Sequence, residues 1–377
     1  MELIKSISIL GAGNIGIAIA VDLSQKRDLT ITLLTSKADT LQLPLQKINT
    51  DTSEILETSN VIITSDYSTA LSDCDLLIIT VPTFLIKDTI EKVSEYNPKV
   101  ILFEPGYGGK EFFCKKLIEK GCIIAGLERV THISRLYEPN KVRASKKKEL
   151  NLACLNTKET EKLCNELEYL FDIKCNPVKN YLTVTLTPSN PILHTARLYS
   201  LFKTIDFNTP ILNQIEFYSE WDDASSKQLF LMDSELQSIC NAISGIDLSG
   251  VKSLPVHYES KDEKALTKKL RSITSFKGIK APLYLKDNKF FLDSNSRYFR
   301  EDFIHGLCIL KAFSLIAKIE TPHFDEVLRW YENISDEELW TKDGCFNGHS
   351  LHNVGLPQNY GINSIDDIVA FYQNSEL

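Results

Sequence analysis

The chain has 377 residues, 43% of them hydrophobic and 24% charged, with 42 basic against 50 acidic side chains and a formal net charge of −8. At about 150 residues per domain this predicts two or three domains, each able to bury a core without staples, and excludes a disordered or fibrous chain. A net-acidic chain carries no general footprint for phosphate backbones, so nucleic acid is not expected as a partner.

The N-terminal MELIKSISILGAG enters an apolar strand within a few residues, with no basic region followed by a hydrophobic one and a cleavage site, so no signal peptide is read. Apolar stretches such as Leu76 to Leu85 run to about ten residues, against the ~20 that a membrane span needs. A soluble, cytoplasmic protein with no membrane partner is therefore expected. The nine cysteines include no C-x-x-C pair, so no metal site is expected, and most of them read as small buried hydrophobes.

In the first half short apolar runs alternate with helical patterns, the rhythm of βαβ units and a parallel sheet. Strands are predicted over Ser6–Leu10, Thr30–Leu34, Val61–Thr64, Leu76–Val81, Val100–Phe103 and Cys122–Ala125, with helices over Ile15–Ser24 and Lys87–Glu95. Val142–Leu155 reads as a hairpin whose tip, Lys146-Lys147-Lys148, is taken as a solvated turn in preference to an anion site. The pattern changes over Asn176–Leu186. Beyond Pro188 apolar residues recur at spacings of three and four over Glu216–Ile243, Lys261–Ser275, Asp302–Ile319 and Phe324–Glu332, with Pro322 marking a fresh helix start.

The first strand runs directly into Gly11-Ala12-Gly13-Asn14-Ile15-Gly16 and then an apolar helix, the context that the dinucleotide fingerprint demands. Gly11 permits the tight turn, Gly13 lets the backbone approach a pyrophosphate, and Gly16 allows close helix packing, while the helix N-terminus supplies unpaired N–H groups. At the end of the second strand Thr35-Ser36-Lys37 offers hydroxyls and an ammonium where NAD-preferring folds place a carboxylate. That favours NADP(H) over NAD(H), because a 2′-phosphate accepts hydrogen bonds from both and gains from the charge. Val81 and Pro82, after the Leu76–Val81 strand, are expected to line the nicotinamide side, and Glu104-Pro105-Gly106 to form another cofactor-edge loop.

Two later segments draw attention. Asn190-Pro191-Ile192-Leu193-His194 places a histidine near the start of a helix, and Arg297-Tyr298-Phe299-Arg300-Glu301-Asp302 packs charge and aromatics before an apolar helix. Read alone, they are more often a structural histidine and a charged helix start than a functional site. Together with GAGNIG, GLERVT followed by Arg135, Phe217-Tyr218-Ser-Glu-Trp221 and the late GLPQNYGI, they resemble the octopine/nopaline (opine) dehydrogenase family over essentially the whole chain. The chain departs from the family pattern at Thr195 and His305, where family members often carry proline, which bears on substrate choice more than on the reaction.

The resemblance implies an NAD(P)-dependent oxidoreductase that condenses a 2-oxo acid, often pyruvate, with the amine of an amino acid to give an N-(carboxyalkyl) amino acid. An imine must form, be protonated and receive hydride, so the site needs a group that donates a proton and takes it back in reverse; histidine suits this near neutral pH. By resemblance His194 has this role, Asp302 fixes its tautomer, and Arg297 holds the oxo-acid carboxylate in a bidentate grip. The expected fold is an α/β Rossmann domain with a doubly wound parallel sheet over residues 1–180 and a mainly α-helical domain over 181–377, with the substrates meeting the nicotinamide in the cleft between them. A homodimer is left as an open expectation. Two alternatives remain: a ketopantoate or glycerol-3-phosphate type dehydrogenase acting on a C–O bond, and a non-catalytic NADP(H)-binding sensor.

Overall fold

Runs that are apolar from end to end become the centre of a sheet. The structure, a computed structural model, describes residues 4–187 and 189–373; residues 1–3, Pro188 and residues 374–377 lie outside the described residues. The chain divides into two units, one reaching to Thr185 and taking in the segment from Val369, the other Leu186–Ile368.

The strands of the first unit are β1 (Ser6–Leu10), β2 (Thr30–Leu34), β3 (Leu45–Asn49), β4 (Ile55–Thr58), β5 (Ile62–Thr64), β6 (Leu76–Ile79), β7 (Val100–Phe103), β8 (Ile123–Leu127), β9 (His132–Glu138), β10 (Lys141–Lys146), β11 (Glu149–Cys154) and β12 (Lys174–Pro177). The main sheet has the order β12-β11-β8-β7-β6-β1-β2-β5. Its six strands from β8 to β5 are mutually parallel, and β11 joins antiparallel to β8. This is the expected doubly wound sheet, with β6 and β7 buried at every residue because helices cover both faces.

A second sheet, β4-β3-β10-β9, was not expected from the sequence. It packs on helix Asn14–Leu23, so that every residue from Gly16 to Leu23 is buried. The predicted hairpin over Val142–Leu155 is corrected. β10 pairs with β3 and β9, whereas β11 pairs with β8 and β12, so the chain changes sheets at the lysines. Lys146 is not a solvated tip: its Nζ donates to the Phe171 carbonyl at 2.6 Å.

Among its described residues the second unit is mainly helical, with a hairpin of β13 (Leu283–Lys286) and β14 (Lys289–Leu292) turned by Asp287 and Asn288, both at positive φ. Its helices include Ser189–Phe202, Asp223–Ala242, Glu263–Ser272 and Pro322–Ile334, the last opened by its proline as expected. Two helix predictions are corrected. The helix predicted over Glu216–Ile243 begins only at Asp223, where Asp222 caps it, and the stretch from Asp302 is a π-helical turn, Phe303–Leu307, before an α-helix over Cys308–Ala317. Among the described residues no helix is long and apolar enough to cross a membrane, and no cluster of His, Cys, Asp and Glu is arranged to hold a metal ion.

Candidate active site

In the first unit, strands β1, β2, β6 and β7 end level with one another: Leu10 pairs with Leu34 and Ile79, and Ile79 with Phe103. The residues that follow, Gly11, Thr35, Thr80 and Glu104, therefore line one carboxyl edge of the sheet, where strand order runs away in both directions from β1. That is the edge at which open α/β sheets bind ligands.

The glycine turn is shaped by contacts rather than by glycine content alone. Gly11 sits at φ +117°, and a Cβ there would lie 2.7 Å from Thr80 Oγ1. A Cβ at Gly16 would lie 1.8 Å from the Gly11 carbonyl oxygen, so the first helical turn folds directly onto the strand end. Gly13 caps the helix, and a Cβ on it would meet no protein atom within 4 Å. The cradle above Gly13 thus faces the first N–H groups of the helix, at Asn14, Ile15 and Gly16, which have no intrahelical acceptor and sit at the positive end of the helix dipole. These residues fit the pyrophosphate of a dinucleotide. The Asn14 side chain is committed elsewhere, accepting from the Leu136 N–H at 2.6 Å, which ties the turn to β9.

The flanking loops are stapled to this turn. The Gly11 N–H donates to the Leu34 carbonyl, and the Thr80 hydroxyl donates to the Leu10 carbonyl at 3.1 Å, which sets the half-buried Val81 against Gly11, with the half-buried Pro82 next in the chain. Thr35 is buried and its Oγ1 accepts from the Lys37 N–H at 3.2 Å, whereas Ser36 and Lys37 are exposed beyond the strand end.

Beneath this edge runs a buried polar chain that the sequence reading missed. The Thr131 N–H and hydroxyl both lie 2.6 Å from Glu104 Oε1, the same hydroxyl lies 2.8 Å from His132 Nδ1, and His132 Nε2 lies 3.0 Å from Asp22 Oδ2. Asp22 also pairs with the buried Lys47 of β3. Burial pushes Glu104 up to about 7, only partly offset by its Thr131 bonds. Burial works against the Asp22 carboxylate too, but the His132 bond and the Lys47 charge outweigh it and hold Asp22 at about 2.

In the second unit His194 and Asp302 come together through a close approach of backbone to ring. A Cβ on Gly306 would lie 2.6 Å from Pro191 Cγ, so only glycine lets the π-helical turn settle against helix Ser189–Phe202. His194 is one turn beyond Pro191, and Asp302 immediately precedes the turn. The result is a 2.7 Å contact from His194 Nδ1 to Asp302 Oδ2, with both residues buried. Burial pushes the Asp302 carboxyl up, opposed by the imidazole beside it. A carboxylate at Nδ1 requires Nδ1–H, which leaves the Nε2 lone pair as the basic position. Tyr298 packs on the imidazole with ring centroids 4.6 Å apart.

Arg297 lies on the short helix Arg297–Arg300, and its side chain is 68% exposed. Its Nε and Nη2 both reach Glu301 Oε2, at 2.7 and 2.6 Å, so the guanidinium is oriented by a carboxylate one turn on. The more deeply buried arginine is Arg197, one turn after His194. It donates to the Phe217 and Glu220 carbonyls and to Asp222, clamping the segment that carries Tyr218.

The family model described as NAD/NADP octopine/nopaline dehydrogenase, alpha-helical domain, matches residues 177–335, and that of ketopantoate reductase PanE/ApbA matches residues 7–157. The chain is 29% identical over 329 residues to an opine dehydrogenase of Haliotis discus hannai, covering 81% of this chain and 80% of that one. It is 28% identical over 330 residues to an octopine dehydrogenase of Pecten maximus, covering 82% of each. A solved octopine dehydrogenase with NADH and L-arginine has the same fold, with a TM-score of 0.84 over 97% of this chain and 98% of that chain, at 23% identity.

Proposed function

We propose that the chain is a member of the opine dehydrogenase family and that it carries out the NAD(P)H-dependent reductive condensation of a 2-oxo acid, pyruvate in the first instance, with the amine of an amino acid. The single observation that carries the reading is the buried His194–Asp302 pair, set by glycine-dependent packing within the helical unit that the family model matches. The cofactor is a nicotinamide dinucleotide, which when bound supplies the hydride.

The remaining chemistry falls to the chain's own residues. Residues 1–180 hold the dinucleotide, with its pyrophosphate over Gly13 and the N–H groups of Asn14, Ile15 and Gly16. Ser36 and Lys37 stand at the end of β2, after which the first carboxylate comes only at Asp39, and favour NADP(H) over NAD(H). Residues 181–377 act on the substrates. His194 carries the proton that the reaction takes up, and Asp302 holds the ring in the Nδ1–H tautomer and stabilises the imidazolium. Arg297 takes the oxo-acid carboxylate, exchanging part of its hold on Glu301.

The test is a grid of 2-oxo acids against amino acids, with NADH and NADPH oxidation followed and products identified by mass. The reading requires oxidation that depends on both substrates and a product containing both. Oxidation with the oxo acid alone indicates a 2-hydroxy-acid dehydrogenase, and cofactor binding without turnover indicates a sensor.

A further inference from the structure

An imidazole offers two in-plane positions for hydrogen bonds, one on each nitrogen. In His194 both are taken within the second unit: Nδ1 by Asp302 at 2.7 Å and Nε2 by the Tyr218 hydroxyl at 2.8 Å. A substrate atom therefore reaches the His194 proton either by displacing Tyr218 or through it. We propose that the Tyr218 phenol is the terminal acid and base of this site, the last member of an Asp302–His194–Tyr218 relay; the proposal rests on the reductive condensation above.

Displacement is opposed by how Tyr218 is held. Its ring stacks on Phe276 with centroids 4.0 Å apart and planes 19° apart, and lies nearly parallel to Trp221 at 6.1 Å. It is 4% exposed. The backbone on either side is fixed by Arg197, which donates to the Phe217 carbonyl at 3.2 Å and the Glu220 carbonyl at 2.6 Å. Trp221 is itself anchored, its indole N–H donating to Ser226 Oγ at 2.9 Å. Moving the phenol aside would break this aromatic stack.

A hydroxyl, in contrast, serves both protonation states of its neighbour without moving. It donates to Nε2 of neutral His194 and accepts from Nε2–H of the imidazolium. In the reductive direction the phenol O–H bond breaks as its proton passes to the hydroxyl leaving the carbinolamine. The carbon–oxygen bond breaks, water departs and an iminium remains. The proton on Nε2 moves to the phenolate oxygen, leaving a phenol, a neutral imidazole and an Asp302 carboxylate. One proton is consumed, which matches the overall uptake of one proton when an oxo acid and an ammonium group are condensed and reduced. The reverse sequence serves the oxidation.

Two variants of the full-length protein test this. Tyr218→Phe keeps the stacked ring and removes the hydroxyl; a loss of ~10²–10⁴ in kcat is expected, the usual range for a positioned proton transfer, with dinucleotide fluorescence quenching unchanged. Site-specific 3-fluorotyrosine at position 218 keeps the size and makes the phenol more acidic, so the alkaline limb of the pH–kcat profile should move to lower pH. Tyr218→Phe with kcat within about threefold of the parent, or a fluorotyrosine protein with an unmoved profile, overturns the relay while parent turnover leaves the condensation standing. If Tyr218→Phe fails to fold, the fluorotyrosine profile decides alone. A parent that turns over no oxo acid and amine pair overturns both.

Discussion

Nδ1 of His194 lies 2.7 Å from Oδ2 of Asp302, 108 positions further along the chain, and both side chains are buried. The contact fixes which nitrogen of the neutral imidazole carries the proton and leaves Nε2 facing the Tyr218 hydroxyl. His194→Ala is expected to lose ~10²–10⁴ in kcat while still binding the dinucleotide, whose glycine turn belongs to the first unit. Asp302→Asn keeps the size but favours the other tautomer, and should lose a comparable factor. If the two act as one unit, the double variant should be little worse than the poorer single variant; additive losses in steady-state kinetics would separate their roles.

Arg297 already presents two of its nitrogens to one carboxylate oxygen of Glu301. If the same fork takes the oxo-acid carboxylate, Arg297→Ala should raise KM for the oxo acid by tenfold or more, about 1.4 kcal/mol, and leave KM for the amine nearly unchanged. Arg297→Lys should recover only part of the loss, because an ammonium lacks the planar fork. Equal effects on both substrates would assign Arg297 a structural role.

Ser36 and Lys37 are exposed just past the end of β2, and no carboxylate follows Leu34 at the strand end. NADPH is expected to give the higher kcat/KM, and Lys37→Ala should narrow the difference between the two cofactors. A tenfold preference of the parent for NADH, about 1.4 kcal/mol, would contradict this.

The parts of the fold that the sequence revealed are those where one physical signal dominates. LLII and VILF are apolar at every position because β6 and β7 are buried on both faces, and the glycine turn is legible because strand, turn and helix follow without interruption. The second sheet was hidden by its own chemistry. β3 turns Lys47 inward beside Leu45 to meet Asp22, so its alternation reads as polar where it is buried. The lysines at 146–148 look like a hairpin tip because sequence cannot show that the strands on either side belong to different sheets. Periodicity joined Asp302 to the helix that follows because a spacing of three and four does not register a π-helical turn. Tyr218 was named only as part of a motif, since nothing in a loop tyrosine announces the histidine it will meet.

Two fully buried glutamates make the folded state sensitive to pH. Burial raises Glu104 and Glu111 from 4.5 to about 7, with partial relief from Thr131 for the first and from Thr185 and Tyr372 for the second. Between these values the unfolded chain releases a proton that the folded chain keeps. The contribution of each acid is therefore fully present below pH 4.5 and is lost as pH rises to about 7. Glu104→Gln cannot ionise, so denaturant unfolding at several pH values between 5 and 7 should show a shallower fall for the variant than for the parent. Parallel pH dependence in the two would mean that Glu104 does not hold its proton in the folded state.

The most direct test of the reductive condensation uses a dinucleotide carrying deuterium at the transferred position of C4, unlabelled pyruvate and a ¹⁵N-labelled amino acid, with the product analysed by mass spectrometry. The account predicts one molecule that carries both labels, with deuterium on the carbon newly bonded to ¹⁵N. Deuterium recovered in a 2-hydroxy acid, with ¹⁵N left in the unreacted amino acid, would contradict it.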